Sequence, residues 1–434
     1  MTDQTAANQR MEAADFGGLI AALHGAGYKV LGPQLVDEAI GLAEVTPGSA
    51  WPTTWPVGYK DEQAAGRYRL RSGHKGSLFD FNAGPHSLKR LLLPPSEVLL
   101  TTIRKGPAIC VEPAPLPTEK VAVLGVRACD VAALRVLDQV FLAGEHPDPG
   151  YAARRRGLFL VGVQCVRAGG TCFCDSMGTG PQIQAGVDLV LTEVCEESDH
   201  HLLLQAQTAA GQALAAQLKT RAAHTGEVAH AQALVQAAKE HLVATRAGMP
   251  GPAPVDHGPG GAGYVDARVL AVKEKLAQSL DHPRFDEVAA RCLLCANCTL
   301  SCPTCFCSSI EDVPDLTGTV SVRQRNAASC FQADFSYLHG GAIRQSPKSR
   351  YRQWLTHKFS TWVDQFGVPG CVGCGRCITF CPVGIDITAE LSALTATVQK
   401  SEPTEQTRRP GQPQTALPVG VLPSEIRSTP RSLL

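Results

Sequence analysis

Two copies of one cysteine spacing constrain this chain more than any other feature. Cys292, Cys295, Cys298 and Cys302 are followed by Pro303, and Cys371, Cys374, Cys377 and Cys381 are followed by Pro382. Each run reads C-x2-C-x2-C-x3-C-P. Three thiolates spaced three apart on a short curling loop reach three iron corners of a [4Fe–4S] cubane, and the fourth corner is closed from elsewhere. The proline stops the local structure, so that the fourth cysteine turns toward the partner run. The spacing therefore assigns Cys292, Cys295, Cys298 and Cys381 to one cluster, and Cys371, Cys374, Cys377 and Cys302 to a second. Structural zinc also uses C-x2-C pairs, but it needs neither a third cysteine three residues further on nor a repeated C-P ending.

The remaining composition is that of a globular chain, with 44% hydrophobic and 18% charged residues. At 434 residues it exceeds one compact core, and its formal net charge of zero gives no general pull toward nucleic acid or an anionic membrane. Seventeen cysteines, an odd number, suit metal ligation better than a disulfide framework. Met1 to Phe16 carries Asp3, Glu12 and Asp15 without an apolar core, so no secretory signal is read there, and no 18-residue apolar run suggests a membrane span. A cytoplasmic location is expected, where thiols stay reduced.

Lys120 to Val126 and Leu158 to Val163 are short apolar runs bounded by turn residues, the first followed by helical spacing at Leu134, Leu137 and Phe141. They predict buried parallel strands of an α/β domain with a mixed or parallel sheet. The loops after such strands emerge at one carboxyl edge. Cys129, Cys165, Cys172 and Cys174 lie on those loops, and two readings stay open: ligands of a third cluster, or small buried apolar side chains. Residues 183–195 read as another strand, and His200 to Arg246, rich in alanine and leucine, as two helices joined near Thr225-Gly226. His86 reads as hydrogen-bonded structure, and the glycine-bearing basic stretch around Arg67 and Arg69 as a solvated turn.

The expected division is an α/β domain over 1–247, a glycine- and proline-rich linker over 248–264, a two-cluster domain over 265–400 and a polar tail over 401–434. The 68 residues from 303 to 370 depart from a compact ferredoxin hairpin and favour an α-helical ferredoxin-like arrangement. Within them Arg350 to Gln365 reads as an amphipathic helix with Tyr351, Trp354, Leu355 and Trp362 on its apolar side. Basic residues there, Lys358 among them, either raise cluster potentials or are solvated. Cys305, Cys307 and Cys330 either ligate, shield or pack.

Several stretches together carry a resemblance. Cys302-Pro303-Thr304-Cys305-Phe306-Cys307, Gly169-Gly170-Thr171-Cys172-Phe173-Cys174 and Ser176-Met177-Gly178-Thr179-Gly180 are joined by Val126-Arg127-Ala128-Cys129-Asp130, Gly84-Pro85-His86-Ser87 and Arg350 to Lys358. Over residues 15 to 395 the chain resembles the β subunit of the sulfhydrogenases, cytoplasmic [NiFe] hydrogenases of the NAD(P)-linked type. An electron-carrying subunit of anaerobic sulfite reductase is similar in the same places. The resemblance implies an electron-transfer subunit beside a flavin and NAD(P)-binding subunit, a small iron–sulfur subunit and a large [NiFe] subunit. No two L-x-C-x-x-C stretches, the pair typical of a nickel site, and no strand-bound G-x-G-x-x-G are read here, which leaves substrate chemistry to partners. A redox-sensing or scaffold module is the reading from another class, and the absence of a basic DNA-binding helix weighs against a regulator.

Overall fold

Continuous apolar strands at the heart of the chain dictate its main layer. Val121–Val126 and Leu158–Val163 pair in parallel and are buried on both faces, as side chains on every second residue require when both faces are covered. Lys29–Val36 and Leu189–Cys195 extend the parallel set on either side. Antiparallel strands complete an eight-stranded mixed sheet in the order Arg221–Ala222, Gln9–Glu12, His200–Ala206, Leu189–Cys195, Leu158–Val163, Val121–Val126, Lys29–Val36, Ala39–Glu44. The computed structural model describes residues 8–46, 54–245 and 267–396. The expected linker at 248–264 and tail at 401–434 lie outside them, as does Trp51.

One face of the sheet packs on Phe16, Leu19, Trp55 and Phe79, and the other on the helix Ala128–Leu142 through Val131, Leu134 and Leu137. Arg127, buried just before that helix, donates to the carbonyls of Phe79 (2.9 Å), Phe81 (2.6 Å) and Gln164 (3.1 Å). Its guanidinium thereby ties two parallel strand ends to the 79–81 segment, and the carboxyl edge carrying Cys129 and Cys165 is fixed.

The chain departs from the helical reading of 200–246 at its start. His200–Ala206 is a strand, because Leu202, Leu203 and Leu204 are sandwiched between Leu189–Cys195 and Gln9–Glu12, and an apolar run buried on two faces carries no period to distinguish it from a helix. The long helix is Thr225–Thr245 alone, with a short one at Ala209–Ala215. The strand expected over 183–195 is Leu189–Cys195.

The 303–370 stretch is not wholly helical. Ser308–Pro314 and Val320–Ala327 join Ser96–Lys105 and Ala108–Pro113 in a four-stranded antiparallel sheet, so segments from both halves of the chain share one ladder. Arg325 closes it against Glu97 and Asp148. The predicted amphipathic helix is Pro347–Thr356 continuing through a π-helical turn, His357–Thr361, into Trp362–Phe366, and Tyr351, Trp354, Leu355 and Trp362 are all buried. A hairpin of Tyr59–Ala64 and Arg67–Ser72 sets its tip on the second cysteine run, where Gly66 N donates to Ile378 O at 3.0 Å. Arg67 and Arg69 are exposed, as a solvated turn requires, while the backbone at the tip packs. His86 accepts from Leu42 N at 3.2 Å, as a structural histidine would.

Candidate metal centre

The two cysteine runs fold alike. Leu294 and Ala296, two and four residues after Cys292, have φ of 54° and 65°; Gly373 and Gly375, at the same offsets from Cys371, have φ of 62° and 74°. Each run thus curls through two left-handed residues into one short helical turn, Asn297–Leu300 or Arg376–Thr379, that carries the third cysteine. Non-glycine residues in this region cost about 1–2 kcal/mol each, so the curl is imposed by what it surrounds. The second run needs glycine outright. A Cβ on Gly373 would stand 2.5 Å from Phe173 O, and one on Gly375 2.5 Å from Thr171 O.

The sulfurs interleave. Cys298 has Cys292, Cys381 and Cys295 within electrostatic reach, so a sulfur of the second run completes the first set. Cys377 has Cys371, Cys374 and Cys302, so a sulfur of the first run completes the second. Burial, then these neighbours, pushes the thiols of Cys298 and Cys377 upward; Cys371 is pushed up to about 12 by burial, with Lys358 opposing. Bare thiolates in such company repel one another, and a cationic iron core is what would reverse that balance. A single tetrahedral zinc would draw its sulfurs to about 3.8 Å of each other. Among the described residues, the grouping of three such ligand atoms within 4.8 Å is Glu193, Cys195 and His200, not any three of these eight cysteines. The spread suits a cubane.

Lys358 sits on the π-helical turn, only 2% exposed. Its Nζ donates to Cys302 Sγ at 3.1 Å and Gly370 O at 2.9 Å, and lies 5.8 Å from the centre of the Trp354 ring. Burial alone would lower its pKa, yet Cys302, Cys305 and Cys371 raise it well above the ordinary value. The ammonium is a fixed positive charge against the second sulfur set, not a solvated one. The buried hydroxyl of Tyr351 lies near Cys298, Cys377 and Cys292 and has no hydrogen-bond partner among the described residues; the indole N–H groups of Trp354 and Trp362 are also unmatched. Donors stranded beside thiolates fit a site whose acceptors are cluster sulfurs.

A third group of cysteines forms at the carboxyl edge. Cys174 has Cys172, Cys165 and Cys374 within reach, and Cys129 has Cys374 and Cys174. Burial pushes all four thiols up, Cys172 to about 12. Their loop is locked onto the second run: Phe173 N donates to Gly373 O (2.8 Å), Thr179 Oγ1 to Val372 O (2.7 Å), and Cys172 Sγ points at Cys374 O (3.9 Å). Arg376 supplies the countercharge, with Asp130 at 2.8 Å and the carbonyl of Gly84 at 2.9 Å.

Cys305 and Cys307 follow the first run closely enough to stay beside it. Cys305 donates to Cys302, which, with burial opposing and Lys358 assisting, is held well below the usual thiol range. Cys330 donates to Cys307 in the same way and lies within reach of Cys298. No spacing rule signals this second pair, since Cys330 stands 23 residues further along. Cys305 and Cys307 line a cleft of about 440 Å³ shared with His86, Lys89, Arg90 and Arg325. Phe306 packs edge-on between Phe141 and Trp362, with both centroid distances 5.5 Å.

Fold and site together fit an iron–sulfur protein, and residues 291–385 match the family described as 4Fe-4S dicluster domain. The chain is also a homologue of sulfhydrogenase 2 subunit beta of Pyrococcus furiosus, to which it is similar at 28% identity over 278 residues, covering 62% of this chain and 72% of that protein. Among the described residues no helix is long and apolar enough to cross a membrane.

Proposed function

We propose that this chain is the iron–sulfur electron-transfer subunit of a cytoplasmic oxidoreductase complex, of the NAD(P)-linked [NiFe] hydrogenase or sulfhydrogenase type. The observation that carries it is the pair of interleaved sulfur sets with a buried ammonium on one of them. Bound [4Fe–4S] clusters supply reversible one-electron chemistry. Cys292, Cys295, Cys298 and Cys381 would hold one, and Cys371, Cys374, Cys377 and Cys302 the other. Lys358 would hold the second at a higher potential than its sulfurs alone allow, and Trp354, Tyr351 and Phe331 exclude water.

Cys129, Cys165, Cys172 and Cys174 are the ligands proposed for a third cluster. In support, Cys172 and Cys174 stand beside Cys374 of the second set. Tyr351 stands near cysteines of both other sets, so the second set would neighbour both the first and the third, an order suited to relaying single electrons. The anaerobically purified chain should then contain about twelve iron atoms and as many sulfides. A Cys172→Ala/Cys174→Ala variant should lose about four of each, and a content of about eight in both proteins would remove the third site.

The proposed partners are a flavin and NAD(P)-binding subunit, a small iron–sulfur subunit and a large [NiFe] subunit, because the relative bears the name of a sulfhydrogenase subunit. Affinity purification from the native cell tests this. Nickel and hydrogen-dependent NAD(P) reduction in the recovered complex are expected. Sirohaem with sulfite-dependent oxidation of a nicotinamide would assign the chain to a sulfite reductase instead, and a lone chain with redox-inert clusters would make it a scaffold.

A further inference from the structure

We propose that the chain holds a divalent transition metal, zinc by its chemistry, at a site built from Glu193, Cys195, His200 and His74, separate from the iron–sulfur cysteines. In the hairpin of Leu189–Cys195 and His200–Ala206, Cys195 and His200 are direct cross-strand partners, and Glu193 lies two residues before Cys195. All three side chains therefore stand on one face of the sheet. Their ligand atoms lie within 4.8 Å of one another. His200 Nε2 is 2.8 Å from Glu193 Oε1, and His74 Nδ1, arriving from the loop after the Arg67–Ser72 strand, is 3.3 Å from Cys195 Sγ. Donors around a tetrahedral zinc stand about 3.3–3.8 Å apart, so small side-chain rotations close the Glu193, Cys195 and His200 set, and His74, outside that group but in contact with Cys195, turns in as the fourth ligand.

Chemistry and support point the same way. One thiol, two imidazoles and one carboxylate form the borderline donor set zinc favours, and harder cations such as calcium or magnesium take oxygen instead. The Glu193 carboxylate, 4% exposed, is already oriented by two backbone donors, Leu78 N to Oε1 (2.6 Å) and Phe79 N to Oε2 (2.8 Å). Such outer contacts are what aim a metal ligand. A His200–Glu193 ion pair alone would explain two of the residues but would not call for a thiol and a second imidazole beside them.

The site would pin the 74–80 loop to the sheet. That loop leads into Phe79, whose carbonyl seats Arg127, and Asp80, which pairs with Arg167 at 2.9 Å, so the pin backs the wall of the third cysteine group.

The test uses the full chain, purified with its iron and dialysed against metal-free buffer. Elemental analysis should find about one zinc per chain beyond the iron. Cys195→Ser and His74→Ala/His200→Ala should each lose that zinc while iron content and visible absorption stay unchanged. Cobalt(II) added to zinc-stripped wild type should give a thiolate-to-cobalt charge-transfer band that Cys195→Ser lacks and that zinc abolishes. This wild-type measurement decides the matter should a variant fail to fold. Wild type without zinc and without the cobalt band, or zinc retained in both variants, overturns the proposal.

Discussion

Replacing Lys358 by methionine isolates the contribution of one buried charge. Methionine keeps most of the volume in the Trp354 and Cys302 surround and removes only the ammonium. Nζ is 3.1 Å from Cys302 Sγ, and an Fe–S bond further on places the charge accepted on reduction at about 6 Å from it. With an effective dielectric constant of about 20, the lost attraction is about 3 kcal/mol. For a one-electron couple, at 59 mV per 1.4 kcal/mol, that is about 120 mV. The sign is downward, because a nearby cation favours the more negative, reduced state. Redox titration followed by electron paramagnetic resonance should show one cluster potential falling by this order and the first-set cluster moving far less, with Lys358→Arg restoring most of the difference. A variant with all clusters present and no potential lowered by more than about 20 mV would refute the assignment of Lys358 as the tuning charge.

Gly373→Ala places a Cβ 2.5 Å from Phe173 O on a residue with φ of 62°, so it should destabilise by at least about 3 kcal/mol, read as earlier thermal bleaching of the visible absorption. Ala296→Gly, at φ of 65°, should instead bleach at an unchanged or higher temperature, by up to about 1 kcal/mol of added stability. Cys307, with Cys330 donating to it against the effect of burial, is lowered to about 6, so alkylation should quicken as pH rises through that value and level off above it. In Cys330→Ala the donor is gone, the midpoint should climb toward the ordinary thiol value of about 8.5, and labelling at neutral pH should slow; an unmoved midpoint would dismiss the pair.

The site is more legible in the sequence than the fold around it. Cysteine spacing carries the geometry of a cubane directly, because ligand offsets of three residues fix which sulfurs share a loop. Parallel strands such as Val121–Val126 and Leu158–Val163 are also readable, since burial on both faces leaves an unbroken apolar run. His200–Ala206 misleads for the same reason: Leu202 to Leu204 would suit a buried helix equally well, and only pairing with Gln9–Glu12 and Leu189–Cys195 decides. The ladder joining Val320–Ala327 to Ser96–Lys105 has half-exposed, unpatterned strands and no local signature. Lys358 can be placed on a helix but not inside the protein, because a lysine's burial depends on anions that arrive from 56 and 13 residues away, at Cys302 and Cys371. The zinc ligands are invisible for a related reason: Glu193, Cys195 and His200 gather only once the hairpin exists, and His74 comes from a separate loop.

The exchange of fourth ligands between the two runs is the claim on which the electron-transfer reading rests, and a set of serine variants tests it directly. Cys292→Ser and Cys371→Ser serve as references for damage to the first and second clusters in electron paramagnetic resonance of the reduced full chain. Cys381→Ser should give the spectrum of Cys292→Ser, although it lies in the other run. A spectrum matching Cys371→Ser would mean that each run closes its own cluster.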